Sequence, residues 1–92
     1  MRKYEVTVIF PTREEEFSAG KEFVKGELAR VGGSIQNEID MGERDLAYQI
    51  KKQDKGHYIC FEVELDPAKV IELDKTFKLQ SSLLKYLFIK PE

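Results

Sequence analysis

Apolar and polar positions alternate along residues 3–10, Lys-Tyr-Glu-Val-Thr-Val-Ile-Phe. A period of two predicts a half-buried strand. Tyr4, Val6, Val8 and Phe10 share one face; Lys3, Glu5, Thr7 and Ile9 share the other. The period then lengthens. Phe17, Gly20, Val24, Leu28 and Val31 recur at helical spacing. Thr12 and Glu15 read as a capping box at the start of that helix, and Glu14, Glu15 and Glu16 suit the positive end of its dipole. Gly32-Gly33 stops it, with one glycine free to take a left-handed cap. Gly20 and Gly26 each cost roughly 1 kcal/mol against alanine inside a helix. Gly20 falls on the apolar face, where it permits close packing on a sheet.

Residues 34–50 read as one long or bent strand with a bulge or kink at Gly42. Asp54-Lys55-Gly56 has the chemistry of a hairpin turn. Residues 57–65 alternate again. Ile59, Phe61, Val63 and Leu65 form the apolar side, which His57 shares by parity; Tyr58, Cys60, Glu62 and Glu64 form the other. Asp66-Pro67 predicts a second helix, with Asp66 as N-cap and proline in the first turn. Leu65 and Val70 are placed for a hydrophobic staple. Val70, Leu73 and Phe77 form the inward stripe, with Ile71 beside it. Residues 84–90 form the last strand.

The order is β-α-β-β-α-β over a single domain, residues 1–92. It predicts an α+β, ferredoxin-like fold, a four-stranded antiparallel sheet with two helices on one face. Right-handed crossovers make the first and third strands central neighbours. The helices then cover Tyr4, Val6, Val8, Ile59, Phe61, Val63, Tyr86 and Phe88. A solvated sheet face should be mostly polar. Here Ile9, Tyr58, Cys60, Leu87 and Ile89 fall on it and form a candidate apolar patch for a protein partner. Scattered exposed hydrophobes are the plain alternative.

Charge adds a second surface. The 92 residues carry a net charge of −2, which is not the footprint of a generally basic nucleic-acid binder. The distribution is uneven. Residues 13–43 hold four bases and eight acids, whereas residues 75–90 hold Lys75, Lys78, Lys85 and Lys90 with no acid. Arg2-Lys3 open the chain, and Lys51, Lys52 and Lys55 crowd one hairpin. These are candidate phosphate contacts, since lysines supply point charges and releasable counterions rather than base reading. A soluble turn, an ordinary N-terminus and, for Lys85 and Lys90, a charged strand edge are the plain alternatives.

Catalytic chemistry finds little support. No Gly-rich phosphate loop, nucleophile elbow or metal-ligand set is present. Cys60 is the only cysteine and His57 the only histidine, which excludes a Cys/His zinc site and an internal disulfide. Cys60 reads as a small apolar filler and His57 as a surface residue. No apolar run is long enough to span a bilayer. Lys3 and Glu5 interrupt the first apolar run, so no secretory leader is expected. A reducing cytosol is the expected compartment.

Several segments together are recognisable. Met1-Arg2-Lys3-Tyr4-Glu5-Val6 resembles the opening of the bacterial small-subunit ribosomal protein S-six family. Gly42-Glu43-Arg44-Asp45-Leu46-Ala47-Tyr48-Gln49-Ile50-Lys51-Lys52 resembles its second-strand signature. Gly56-His57-Tyr58 and Lys85-Tyr86-Leu87-Phe88-Ile89-Lys90 continue the likeness in order. Gln49 stands where the family usually has proline. His57 and Cys60 stand where aromatics are common, which weakens base stacking there. Many members have a tail beyond Pro91-Glu92, and contacts from such a tail are not expected. The resemblance implies the same fold and a non-catalytic ribosomal role in the cytoplasm, without a cofactor or small-molecule substrate. The implied partners are the central domain of small-subunit ribosomal RNA, in the platform, and ribosomal protein S-eighteen. It implies that Arg2, Lys3, Tyr4, Arg44, Lys51 and Lys90 lie near RNA; the charge pattern adds Lys52, Lys55 and Lys85. Two other readings share the topology. An RNA-recognition-motif-like single-strand binder needs two or three stacking aromatics on the central strands. A ligand-sensing ferredoxin-like domain needs a Gly-rich ligand loop or a polar pocket at a dimer interface.

Overall fold

The computed structural model describes residues 2–90; Met1, which begins the opening motif, and Pro91-Glu92 lie outside them. Among the described residues the order is β1 (Arg2–Phe10), α1 (Glu14–Arg30), β2 (Ser34–Ile50), β3 (Gln53–Leu65), α2 (Pro67–Lys78) and β4 (Lys85–Ile89). The sheet is antiparallel in the order β2-β3-β1-β4, so β1 and β3 are central, as the crossover rule requires.

The core lies between the sheet and both helices. Val6, Val8 and Phe10 of β1 and Ile59, Phe61, Val63 and Leu65 of β3 meet Val24 and Leu28 of α1 and Leu73 and Phe77 of α2. Fully burying each large side chain contributes roughly 1.5–3 kcal/mol. Tyr4, Tyr86 and Phe88 pack at the border. The Phe77 ring stacks on Phe88 at 5.8 Å between centroids. Gly20 has the role its position predicted. A Cβ there would sit 2.8 Å from Phe10 Cδ1, so its absence lets α1 lie on the ring. Ile71, expected beside the buried stripe, faces solvent.

Two of the three helix ends read from the sequence form as expected. Asp66 Oδ1 accepts the Ala68 N–H at 3.0 Å. After α1, Gly32 takes a positive φ of 81°. Its N–H bonds Ala29 O at 3.0 Å and the Gly33 N–H bonds Leu28 O at 2.8 Å, a Schellman closure. The start of α1 departs from expectation. The helix begins at Glu14 with Arg13 as the flanking residue and no side-chain cap bond. The Thr12–Glu15 capping box does not form, because it needs Thr12 in the flanking position. The acidic first turn remains, with Glu16 3.7 Å from Arg13 Nη1.

The β2–β3 hairpin holds the bulge at Gly42, where φ is 78° and the pairing slips after Asp40. Its turn is not Asp54-Lys55-Gly56. The chain reverses at Lys51-Lys52, with Ile50 facing Gln53 and φ of 50° and 65° at the two lysines. A two-residue turn of type I′, which matches strand twist, needs positive φ at both centres. Lysine is a poor intrinsic choice there, and a tertiary contact compensates. Lys51 Nζ donates to Ser81 O at 3.1 Å and Leu83 O at 2.8 Å, which ties the tip to the α2–β4 loop. Gly56 has a packing role instead, because a Cβ there would run into Ile9 Cγ2.

Candidate functional site

Strand register arranges the face away from the helices as a grid. One row across the sheet is Ile39–Cys60–Thr7–Leu87. On one side lies Asn37–Glu62–Glu5–Ile89, and on the other Gly42–Tyr58–Ile9–Lys85. Leu87, Ile89 and Ile39 are 48%, 46% and 43% exposed, which is high for large aliphatic side chains in a sheet. Ile9 and Cys60 are buried yet lie on this face, outside the helix-side core. Leu46 and Ile9 both close on Gly56, so part of the expected patch is covered by the protein's own hairpin. Tyr58 is half-buried. The exposed apolar surface is thus Leu87, Ile89 and Ile39, with Ile9 and Cys60 as its floor. Ile39 was missed because the slips in β2 disturb a simple count of alternate positions.

Carboxylates frame this surface. Glu5 pairs directly with Glu62, and Lys3 with Glu64. Like charges facing one another across strands cost stability. Asn37 Nδ2 donates to Glu62 Oε1 at 3.0 Å, which offsets part of that cost. Burial pushes the Cys60 thiol above its usual range, against a lowering hydrogen bond with Thr7; Glu5 and Glu62 add to the rise. The thiol is therefore a packed neutral group.

The bases do not converge. Arg2, Lys3 and Lys90 lie at the end where β1 begins; Arg44, Lys51, Lys52, Lys55 and Lys85 lie at the end where it finishes. At about 3.3 Å per residue, the ends of β1 are roughly 26 Å apart. Tyr4 packs at the border of the core, at the Arg2–Lys3 end. Arg44 Nε donates to Met41 O at 3.3 Å. Lys51 has its ammonium on loop carbonyls, whereas Lys52 and Lys55 are exposed. Lys85 Nζ lies 3.4 Å from Tyr48 Oη. Tyr48 is 63% exposed, and charge counting alone did not single it out.

His57 is not a surface residue. Its ring stacks on Phe17 at 4.0 Å, and Nε2 is 2.6 Å from Asp40 Oδ1. The Gly42 N–H, donated to Asp40 at 2.8 Å, is the main reason this carboxyl titrates below its ordinary value, and His57 adds to the effect. The group braces the bulge against the first turn of α1.

Comparison with known proteins decides the family. The family described as Ribosomal protein S6 matches residues 3–90. The chain belongs to it. It is 48% identical to the small ribosomal subunit protein bS6 of Treponema denticola over 92 residues, covering 100% of this chain and 99% of that protein. It is 40% identical to bS6 of Treponema pallidum over 90 residues, covering 98% and 97% of the two chains. The crystal structure of 30S ribosomal protein S6 from Thermotoga maritima superposes with a TM-score of 0.87 at 29% identity, covering 98% of this chain and 87% of that one. The bS6 relatives are proteins of the small ribosomal subunit, which sets this chain in the cytoplasmic ribosome.

Proposed function

We propose that this bS6-family chain is a non-catalytic constituent of the small subunit that binds the central domain of its ribosomal RNA together with ribosomal protein S-eighteen. The carrying observation is the uncovered row Ile39–Cys60–Thr7–Leu87, flanked by Ile89 and by the facing pair Glu5 and Glu62. An apolar strip edged with carboxylates suits a basic polypeptide. That partner would cover the strip and relieve the like-charge pair. The same carboxylates repel phosphate, so RNA belongs at the two basic ends of the sheet. Membership in a family of structural ribosomal proteins supports the non-catalytic reading.

The single-strand-binder reading is disfavoured by the same grid. The open face of β1 and β3 has one aromatic, Tyr58, among Glu5, Glu62 and Glu64. Nor does Gly32-Gly33 act as a ligand loop, since both residues close α1.

NMR titration with a central-domain three-way-junction RNA tests the proposal, with and without S-eighteen. Weak binding alone and strong binding with the partner support it. Tight binding to a short single strand, or equal affinity with and without S-eighteen, overturns it.

A further inference from the structure

The hairpin end of the sheet carries a feature that neither the apolar patch nor the list of basic residues captures. Tyr48 extends from the hairpin and is 63% exposed. Lys85, on the opposite edge strand, brings Nζ within 3.4 Å of the Tyr48 hydroxyl and 6.0 Å of the ring centroid. Beside Lys85 runs a groove of about 300 Å³, lined by Lys51, Lys78, Lys85, Gln80 and Tyr86 over a floor of Phe77, Leu83 and Leu84. Among the described residues no carboxylate lines it. Asp74 accepts the Tyr86 hydroxyl at 2.8 Å. Lys51 Nζ holds the loop carbonyls of Ser81 and Leu83, so the groove wall is fixed before any ligand arrives.

We infer that Tyr48, Lys85 and Lys78 form a subsite for one unpaired RNA nucleotide, with the base stacked on Tyr48 and its phosphate held by the two lysines. The inference rests on the RNA-binding reading above and deepens it. Any nucleobase offers a π-face to an exposed aromatic ring, and Lys85 links that ring to a cationic groove able to follow the backbone. The contact is tolerant of sequence, because lysine reads phosphate charge rather than base edges. It also accounts for an aromatic left open to solvent, whereas Leu46, two residues earlier, is half-buried.

The test uses the full chain with S-eighteen and the central-domain junction RNA. Tyr48→Ala should weaken binding about tenfold, as loss of one stacked base does, while Tyr48→Phe keeps the affinity. The double variant Lys78→Gln with Lys85→Gln should lower the slope of log affinity against log salt by about two. A second probe is independent of the ribosomal reading. Millimolar adenosine 5′-monophosphate should shift the NMR signals of Tyr48, Lys78 and Lys85 in the free protein. Wild-type affinity in Tyr48→Ala, or an unchanged salt slope, overturns the subsite while leaving RNA binding intact. Failure of the wild-type chain to bind junction RNA overturns the broader function instead. Nucleotide shifts that appear only elsewhere, or not at all, also count against the subsite.

Discussion

The two faces of the sheet are built from alternate residues of the same strands, yet they do different work. On the helix side Val6, Val8, Phe10, Ile59 and Phe61 have no exposed surface. On the other side Leu87, Ile89 and Ile39 remain nearly half exposed beside the facing carboxylates Glu5 and Glu62. The first arrangement is what stability alone would select. The second gives up burial and places like charges together, as a surface completed by another molecule would.

The largest separation between the faces should appear on truncation. Phe61→Ala should destabilise by about 3–5 kcal/mol in urea unfolding, through lost burial plus a cavity. Leu87→Ala should stay within about 1 kcal/mol, since half of its side chain is already wet. The same Leu87 variant should lose S-eighteen affinity. A large unfolding penalty at Leu87 would erase the contrast.

Two glycines of α1 probe the covered face more finely. Gly20→Ala must push on Phe10 and should destabilise by about 1–3 kcal/mol. Gly26 has nothing within 4 Å of where a Cβ would lie. Gly26→Ala should therefore stabilise by about 1 kcal/mol, the helix-propensity gain. Thermal unfolding of the pair reads both signs.

A titration marks the covered face as well. Tyr86 is pushed up to about 12 from 10.0, first by burial and then by its hydrogen bond to Asp74. A raised pKa stabilises the neutral form, so this contribution is whole below pH 10 and is lost as pH climbs from there to about 12. Tyr86→Phe should flatten the stability profile over that window. A wild-type slope in the variant would separate the alkaline loss from Tyr86.

On the open face the smallest effect has the opposite sign. Glu62→Gln removes the repulsion with Glu5 and should leave the free protein equal or more stable by a few tenths of a kcal/mol. Its affinity for S-eighteen should fall. Loss of both stability and affinity would point to a structural carboxylate.

Much of this architecture was legible because it depends on local chemistry. Alternation in residues 3–10 and 57–65 assigned each side chain to its face. Asp66-Pro67 and Gly32-Gly33 marked helix ends through bonds made within a few residues. Gly42 announced its bulge through a conformation glycine adopts readily. Apart from the Thr12–Glu15 capping box, which is displaced by one residue, the errors fall where distant contacts decide. Lys51-Lys52 turns the hairpin because Lys51 bonds a loop some 30 residues away, and that loop leaves no local signal. Ile9 had the correct parity but the wrong exposure, since Leu46 and Gly56 close over it. His57 looked like a surface residue because Phe17 and Asp40, which enclose it, come from other elements. The charge clusters were visible, but their separation onto opposite ends of β1 required the register.

Mapping the S-eighteen contact by backbone and methyl NMR tests the division of labour most directly. Shifts concentrated at Ile39, Leu87, Ile89, Glu5 and Glu62, with α1 and α2 silent, are the predicted result. Shifts centred on the outward side chains Ile71 and Leu79 of the helical layer, with the sheet face unmoved, would contradict it.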